Sequence, residues 1–322
     1  MIYRELGRTG VKASVLALGG HEYMANGKSR GFNEDRQLAA TPGYIFDGFV
    51  NENRKQVLLA ALELGINYFD LTQDSEKFAF AELMKDVTLP FEIYVQTRPE
   101  GMLYDYDPFN AKMAQYETLK EEVVRINKML RMECLDFLNL APLQTAFHHD
   151  PEYMDKLADN VRRLKQEGLI RFACADTFSG EETYLRLIHS GVFDVMYVNY
   201  NFADHHALDK AIPAARETGM GIVTREAYMK GQLFRAIAPE MGLTDVSVLA
   251  NAALKWCYQN NGADLIVYGT NKVKNLTNAA QLVSGDLSLS EEEAAILEQA
   301  RKTEAWNTYH EQKNKQFAGL VK

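Results

Sequence analysis

Long apolar runs are missing from these 322 residues, and so is any excess of positive charge. No stretch approaches the roughly 20 apolar residues that cross a bilayer. The opening MIYRELGRTGVKASVLALGG scatters charge through what would be the apolar centre of a signal peptide. A net charge of −9 argues against a nucleic-acid surface, which needs a basic patch to neutralise phosphates. Cysteine is scarce as well. Cys134, Cys174 and Cys257 are odd in number, far apart and set in or beside apolar segments, so they read as buried core residues and not as a disulfide frame. These absences point to a cytoplasmic, reducing setting with neither membrane nor nucleic acid as partner. No internal repeat, low-complexity tract or linker interrupts the chain. The histidine doublets at 148–149 and 205–206 are poor metal clamps, because adjacent side chains point in different directions. They read as rim histidines in solvent, and no metal site is expected.

What is present is an alternation. Short runs rich in β-branched and aromatic residues occur at 14–20, 66–70, 92–97, 135–140, 170–175, 194–200, 221–226 and 264–269. Their composition suits strands buried on both faces. Helical patterns fill the gaps, among them 54–65, 116–131, 150–168 with Asp150 as N-cap and Pro151 at the first position, 179–191, 203–219 and 245–260. Ser290 and Glu293 stand at capping-box spacing before a helix over 288–302. Eight strands alternating with helices, without a composition break, predict one (β/α)8 TIM barrel over residues 1–322. A doubly wound sheet is the rival, but it would normally have fewer strands, and no glycine-rich phosphate loop follows the first one. Residues 21–52 have no clear period and would follow the first barrel strand, where they are expected to form a lid over the mouth. In GINYFDLTQDSEKFAFAELM (65–84), Asp70 ends a strand, and Asp74 or Ser75 is expected to cap the next helix.

Several of these pieces resemble the aldo-keto reductases. YRELGRTGVKASVLALGG resembles that family's opening hairpin and first strand, ALELGINYFDLT its passage into strand 2, LKQEGLIRFACADTFS its strand 5, and ALKWCYQNNGADLIVYGTNKVKNLTNAAQL its strand 8 and cofactor-phosphate segment. The resemblance implies a barrel with an N-terminal hairpin and an additional C-terminal helix, binding NADP(H) and passing hydride to a carbonyl. It also implies a tetrad of Asp, Tyr, Lys and His. Asp70 matches the Asp, whereas Ser75, Arg98 and Ala141 stand at the other three positions. For the nicotinamide, Ala175 and Asp176 stand in place of a Ser-Asn pair, Tyr197 in place of a Gln, and Arg225 in place of the stacking aromatic. Gly269, Thr270 and Lys272 keep the character of the cofactor-phosphate segment.

By register the strand ends present His21 and Glu22, Asp70, Arg98 and Glu100, Asp176, Asn199 and Asn201, and Arg225 with Glu226. Asp70, Asp176, Glu226 and His21 are candidate acids and bases. Arg98 and Arg225 suit recognition of a carboxylate or phosphate, because the guanidinium fork binds such groups bidentately. Alternatively the charges satisfy one another, as Asp70–Arg98 and Glu226–Arg225. Three functions follow: acid–base chemistry on a polar, anionic small molecule; an NADP(H)-dependent oxidoreductase whose phenol comes from Tyr23, Tyr44 or Tyr228; and a non-catalytic binding barrel.

Overall fold

The computed structural model describes residues 1–20, 35–102 and 106–320. His21, Glu22, Tyr23 and the first half of the expected lid lie outside the described residues.

Chain order begins with a short antiparallel hairpin, β1 (Tyr3–Glu5) and β2 (Lys12–Ser14). Eight parallel strands follow: β3 (Leu16–Gly19), β4 (Tyr68–Asp70), β5 (Tyr94–Thr97), β6 (Leu135–Leu140), β7 (Ile170–Ala175), β8 (Val195–Asn199), β9 (Gly221–Arg225) and β10 (Leu265–Tyr268). They close into a barrel as β10 pairs with β3. The helices are α1 (Arg36–Ala39), α2 (Glu52–Glu63), α3 (Asp74–Met84), α4 (Tyr116–Leu130), α5 (Gln144–His149), α6 (Tyr153–Gln166), α7 (Glu181–His189), α8 (Ala211–Glu217), α9 (Ala238–Glu240), α10 (Ser247–Trp256), α11 (Val273–Val283), α12 (Glu291–Ala300) and α13 (Glu304–Phe317). Every strand read from the sequence is present, 135–140 and 170–175 at the same bounds and the other six slightly shorter. This is the (β/α)8 TIM barrel with an N-terminal hairpin that the alternation implied.

Two faces of each strand serve two cores. Outward side chains pack under the helices, and inward ones fill the barrel. Tyr68, Tyr94, Phe137 and Phe172 form an aromatic plug inside, with Tyr68 and Phe172 ring centroids 5.2 and 5.1 Å from Phe137. Leu6 and Val11 of the hairpin pack into this same interior cluster. The inward residue two places further along each strand then opens onto the C-terminal mouth. That alternation delivers Asp70, Gln96, Asn139, Asp176, Asn199 and Arg225 to one polar floor. At the end of β3, Gly20 is required by crowding: a Cβ there would lie 2.6 Å from the Asp70 carbonyl oxygen and 2.5 Å from the Glu76 carboxylate.

Three local expectations are corrected. Asp150 does not cap the helix after it. It closes α5, its carboxylate accepts from Glu152 N at 3.0 Å and pairs with Lys156, and α6 starts at Tyr153. Asp74 and Ser75 are not caps either. Gln73 is the N-cap of α3, and these two side chains turn back to hold another segment: Asp74 accepts from Gly43 N at 2.7 Å and Ser75 from Phe46 N at 2.9 Å. With Phe49 buried against Ala79 and Gly101 N bonded to Ala40 O, the described half of the 21–52 segment is pinned beside the mouth at the start of α3. The capping box of Ser290 and Glu293 is formed as read, and α13 follows α12 beyond the segments read as helical from the pattern. Cys134 is only half-buried, unlike Cys174 and Cys257.

Candidate active site

Arg225 ends β9 and crosses the mouth to Asp176 at the end of β7. Its Nη1 and Nη2 donate to the two carboxylate oxygens at 2.7 and 2.9 Å, and its Nε donates to Asn199 Oδ1. The guanidinium lies over the Tyr197 ring, 4.4 Å from its centroid. Asp176 is also met by Asn139 Nδ2 at 3.4 Å and lies 3.2 Å from the Tyr184 hydroxyl. Arg225 therefore pairs with Asp176, not with its chain neighbour Glu226. The reason is alternation: in consecutive residues of a strand end, only one side chain faces inward.

Asp70 is buried beneath this pair. Gln96 Nε2 donates to its Oδ1 at 2.9 Å and the Tyr197 hydroxyl to its Oδ2 at 2.7 Å. Burial, with the Asp70 charge beside it, holds the Tyr197 phenol well above its usual pKa, which makes it a poor proton donor near neutrality. The expected Asp70–Arg98 pair is not among the described contacts. The described ion pair of Arg98 is with Glu100, at 3.8 Å.

Glu100 belongs to a buried network that the sequence reading left out. Lys77 of α3, fully buried, holds Asp74 at 2.9 Å and Glu100 at 3.4 Å. Arg125 of α4 holds the other Asp74 oxygen at 2.7 Å and also Glu122. The two carboxyls are driven apart. Burial pushes Glu100 up to about 7 in spite of Lys77 and Arg98, whereas for Asp74 the Lys77 and Arg125 charges overcome burial and bring it down to about 2. Lys77 escaped notice because a lysine on an amphipathic helix normally points to solvent.

Glu226, with φ +68°, turns away from the floor to the rim. There α13 supplies its partner. Lys313 Nζ lies 3.5 Å from both Glu226 and Asp204, and Lys230 adds a contact to Glu226 at 3.2 Å. Burial raises Asp204 to about 6. Next to them His205 and His206 stack on His310 of α13, with centroids 5.3 and 4.9 Å away, and burial lowers the pKa of both. They are half-buried, not rim residues in solvent. His148 and His149 lie in α5, where His149 stacks on Phe109. No cluster of His, Cys, Asp or Glu among the described residues is placed to hold a metal, and no helix there is long and apolar enough to cross a membrane.

A model of the aldo/keto reductase family matches residues 43–245, more than half of the chain. The chain belongs to the aldo/keto reductase family. Solved structures of the family share its fold at low identity. Aldo-keto reductase AKR11C1 from Bacillus halodurans, in its holo form, is 18% identical with a TM-score of 0.68, over 93% of this chain and 96% of that one. A Pseudomonas aeruginosa protein assigned to the aldo-keto reductases is 19% identical with a TM-score of 0.60, over 88% and 95%. No curated protein matches the sequence. Aldo/keto reductases usually bind NADP(H). Of the residues expected to serve its phosphate end, Gly269 and Thr270 directly follow β10, and Lys272 is the N-cap residue of α11, its N–H bonded to Thr270 Oγ1 at 3.1 Å. In this aldo/keto reductase barrel the structure thus brings Asp70, Asp176 and Arg225 onto one floor, sets Arg98 beside it, and sends Glu226 to the rim.

Proposed function

We propose that this barrel performs acid–base chemistry on a polar, anionic small molecule and does not carry out ordinary NADPH-dependent carbonyl reduction. The Asp176–Arg225 pair carries the reading. Asp176, Tyr197 and Arg225 stand at the three positions that would hold a nicotinamide by resemblance, and here they bind one another: carboxylate on guanidinium, guanidinium on phenol ring. A stacked nicotinamide would have to displace a bidentate, mostly buried ion pair, which is costly. The residues at that end do not fit the group. Ser75, at the position of the reductase tyrosine, spends its hydroxyl on Phe46 N. Tyr228, the alternative phenol, is packed against Phe234 and Tyr268 and its pKa is driven far upward, chiefly by burial.

The group poised for proton transfer is Glu100, whose pKa of about 7 sits near working pH. Arg98, at 11% side-chain exposure beside it, is the grip for the anionic group. The described residues 35–52 are anchored beside the mouth through Gly43 and Phe46 and serve as a cover for it.

The test has two parts. Clean protein titrated with NADPH and followed by fluorescence is expected to give no saturable binding. It is also expected to give no turnover of a simple aromatic aldehyde. Saturable NADPH binding with robust aldehyde reduction would favour the oxidoreductase reading instead. In parallel, Arg98→Ala is expected to weaken citrate binding at least tenfold, measured by calorimetry.

A further inference from the structure

Helix α13 is seated on a cluster of rings. His205 and His206, in the turn between β8 and α8, lie with their ring centroids 5.5 Å apart, and 5.3 and 4.9 Å from that of His310 on α13. Trp306, one turn earlier on α13, stacks on His310 at 4.6 Å, and Trp256 of α10 lies 5.6 Å from His205. His310 Nδ1 is bonded to Ala203 O at 2.8 Å. His205 Nδ1 and His206 Nε2 are buried and have no hydrogen-bond partner.

Such an arrangement tolerates neutral imidazoles and not charged ones. An imidazolium has two N–H donors. In His205 and His206 one ring nitrogen has no acceptor in the fold, so the charged form would bury an unpaired donor. Neighbouring rings that carry charge also repel one another. Burial chiefly, then His310, lowers His205 to about 4 and His206 in the same direction. Arg301, at the end of α12, adds to the repulsion on His205. Asp209 opposes it for both rings, and Glu181 of α7, itself paired with Lys210, opposes it for His206. Two carboxylates share Lys313 beside the cluster. Burial raises Asp204 to about 6, and for Glu226 the charges of Lys313, Lys230 and Arg225 overcome burial and lower it.

We propose that this cluster is a proton-sensitive latch: acidification charges His205 and His206, and α13 lifts from the rim, taking Lys313 away from Asp204 and Glu226. Once α13 is lifted the two histidines return to their usual value of about 6.5 and take up protons more readily than when it is docked. Docking is therefore complete above about 6.5 and weakens as pH falls towards 4. Asp204 works in the opposite sense. Raised in the fold, it gains its proton first in the docked state, which holds the helix down as pH falls from about 6 to 3.8. Two histidines act against this one carboxyl, and they begin to act at a higher pH. The net effect of acidification is opening.

The experiment follows amide hydrogen exchange of α13 in the whole chain from pH 7.5 to 5, corrected for intrinsic rates, with α6 as the check for global unfolding. The opening constant of α13 is expected to rise at least about fivefold across that range while α6 stays protected. The chain has two tryptophans, Trp256 and Trp306, and both lie in the cluster, so a red shift of emission should accompany the opening. In a His205→Phe, His206→Phe double variant the rise is expected to disappear, leaving Asp204 to tighten the helix as pH falls. A wild-type opening constant that is flat or falls on acidification would overturn the proposal, and that measurement needs no variant. Equal loss of protection in α6 and α13 would overturn it too, as would a folded double variant that keeps the wild-type rise. Should the double variant not fold, proton NMR titration of the wild type decides in its place: His205 and His206 titrating well below 6.5 sustain the latch, and titration at 6.5 or above overturns it.

Discussion

Asp176→Ala is expected to lower the stability of the fold by about 3–5 kcal/mol, because it strands the Arg225 guanidinium in a mostly buried position. Two charge-assisted hydrogen bonds disappear, and the remaining Nε contact to Asn199 is with a neutral amide. The reverse change, Arg225→Ala, is expected to cost roughly half as much. Asp176 would keep the Asn139 amide and the Tyr184 hydroxyl nearby, and Arg225 itself is 16% exposed, so water can enter where it stood. Urea unfolding of both single variants and the double variant, read as a double-mutant cycle, checks the claim. A loss under about 1 kcal/mol for Asp176→Ala would mean that the pair is held loosely enough to open, and the argument against a nicotinamide in that place would fall with it.

Lys77→Met is expected to be as damaging, and its effect to depend on pH. Lys77 is fully buried between two carboxylates, so its removal leaves Glu100 facing Asp74 without the ammonium between them. The sign of the pH dependence follows from the two carboxyls. Glu100 is raised in the fold, from 4.5 to about 7, so its contribution is complete below about 4.5 and is lost as pH rises through 7. Asp74 is lowered, from 3.8 to about 2, so its contribution is complete above about 3.8 and is lost as pH falls through 2. For Glu100 the change corresponds to on the order of 3 kcal/mol between pH 4.5 and 8. Thermal and urea unfolding across that range should give a wild-type decline that is flattened in Glu100→Gln and steepened in Lys77→Met. A Lys77→Met protein whose stability runs parallel to wild type from pH 5 to 8 would exclude this account of the network.

The strands were legible because burial on both faces forces a composition that few other segments share, and because turns and helices punctuate them at regular intervals. Asp70, Asp176 and Arg225 were legible as mouth residues for the same reason: once a strand's inward set is known, the next inward position is known. Partners were not legible. Arg225 was open to pairing with Glu226 by adjacency, yet adjacent strand residues face opposite ways, and the real partner lies two strands over. Lys77 and Asn139 were missed because neither stands out by type: one reads as a solvated helix residue, the other as part of the LDFLNL core run. Only the ion pairs that join α3 to Glu100 and to α4, and the pairing of β6 with its neighbours, give them their roles. His21 lies beyond what the structure describes, so its place among the acids and bases rests on the sequence alone.

The dependence of the rim on α13 has a consequence for the order in which the molecule can be completed. The barrel is covalently whole once β10 has been made, at Tyr268, but Lys313 and His310 come some forty residues later. A growing chain can therefore close all eight strands while Asp204 and Glu226 still face each other without the lysine between them. Docking of α13 can only follow the making of β10, and it brings Lys313 to both carboxylates. The charge balance of the rim is in this sense acquired after the scaffold that carries it is already standing.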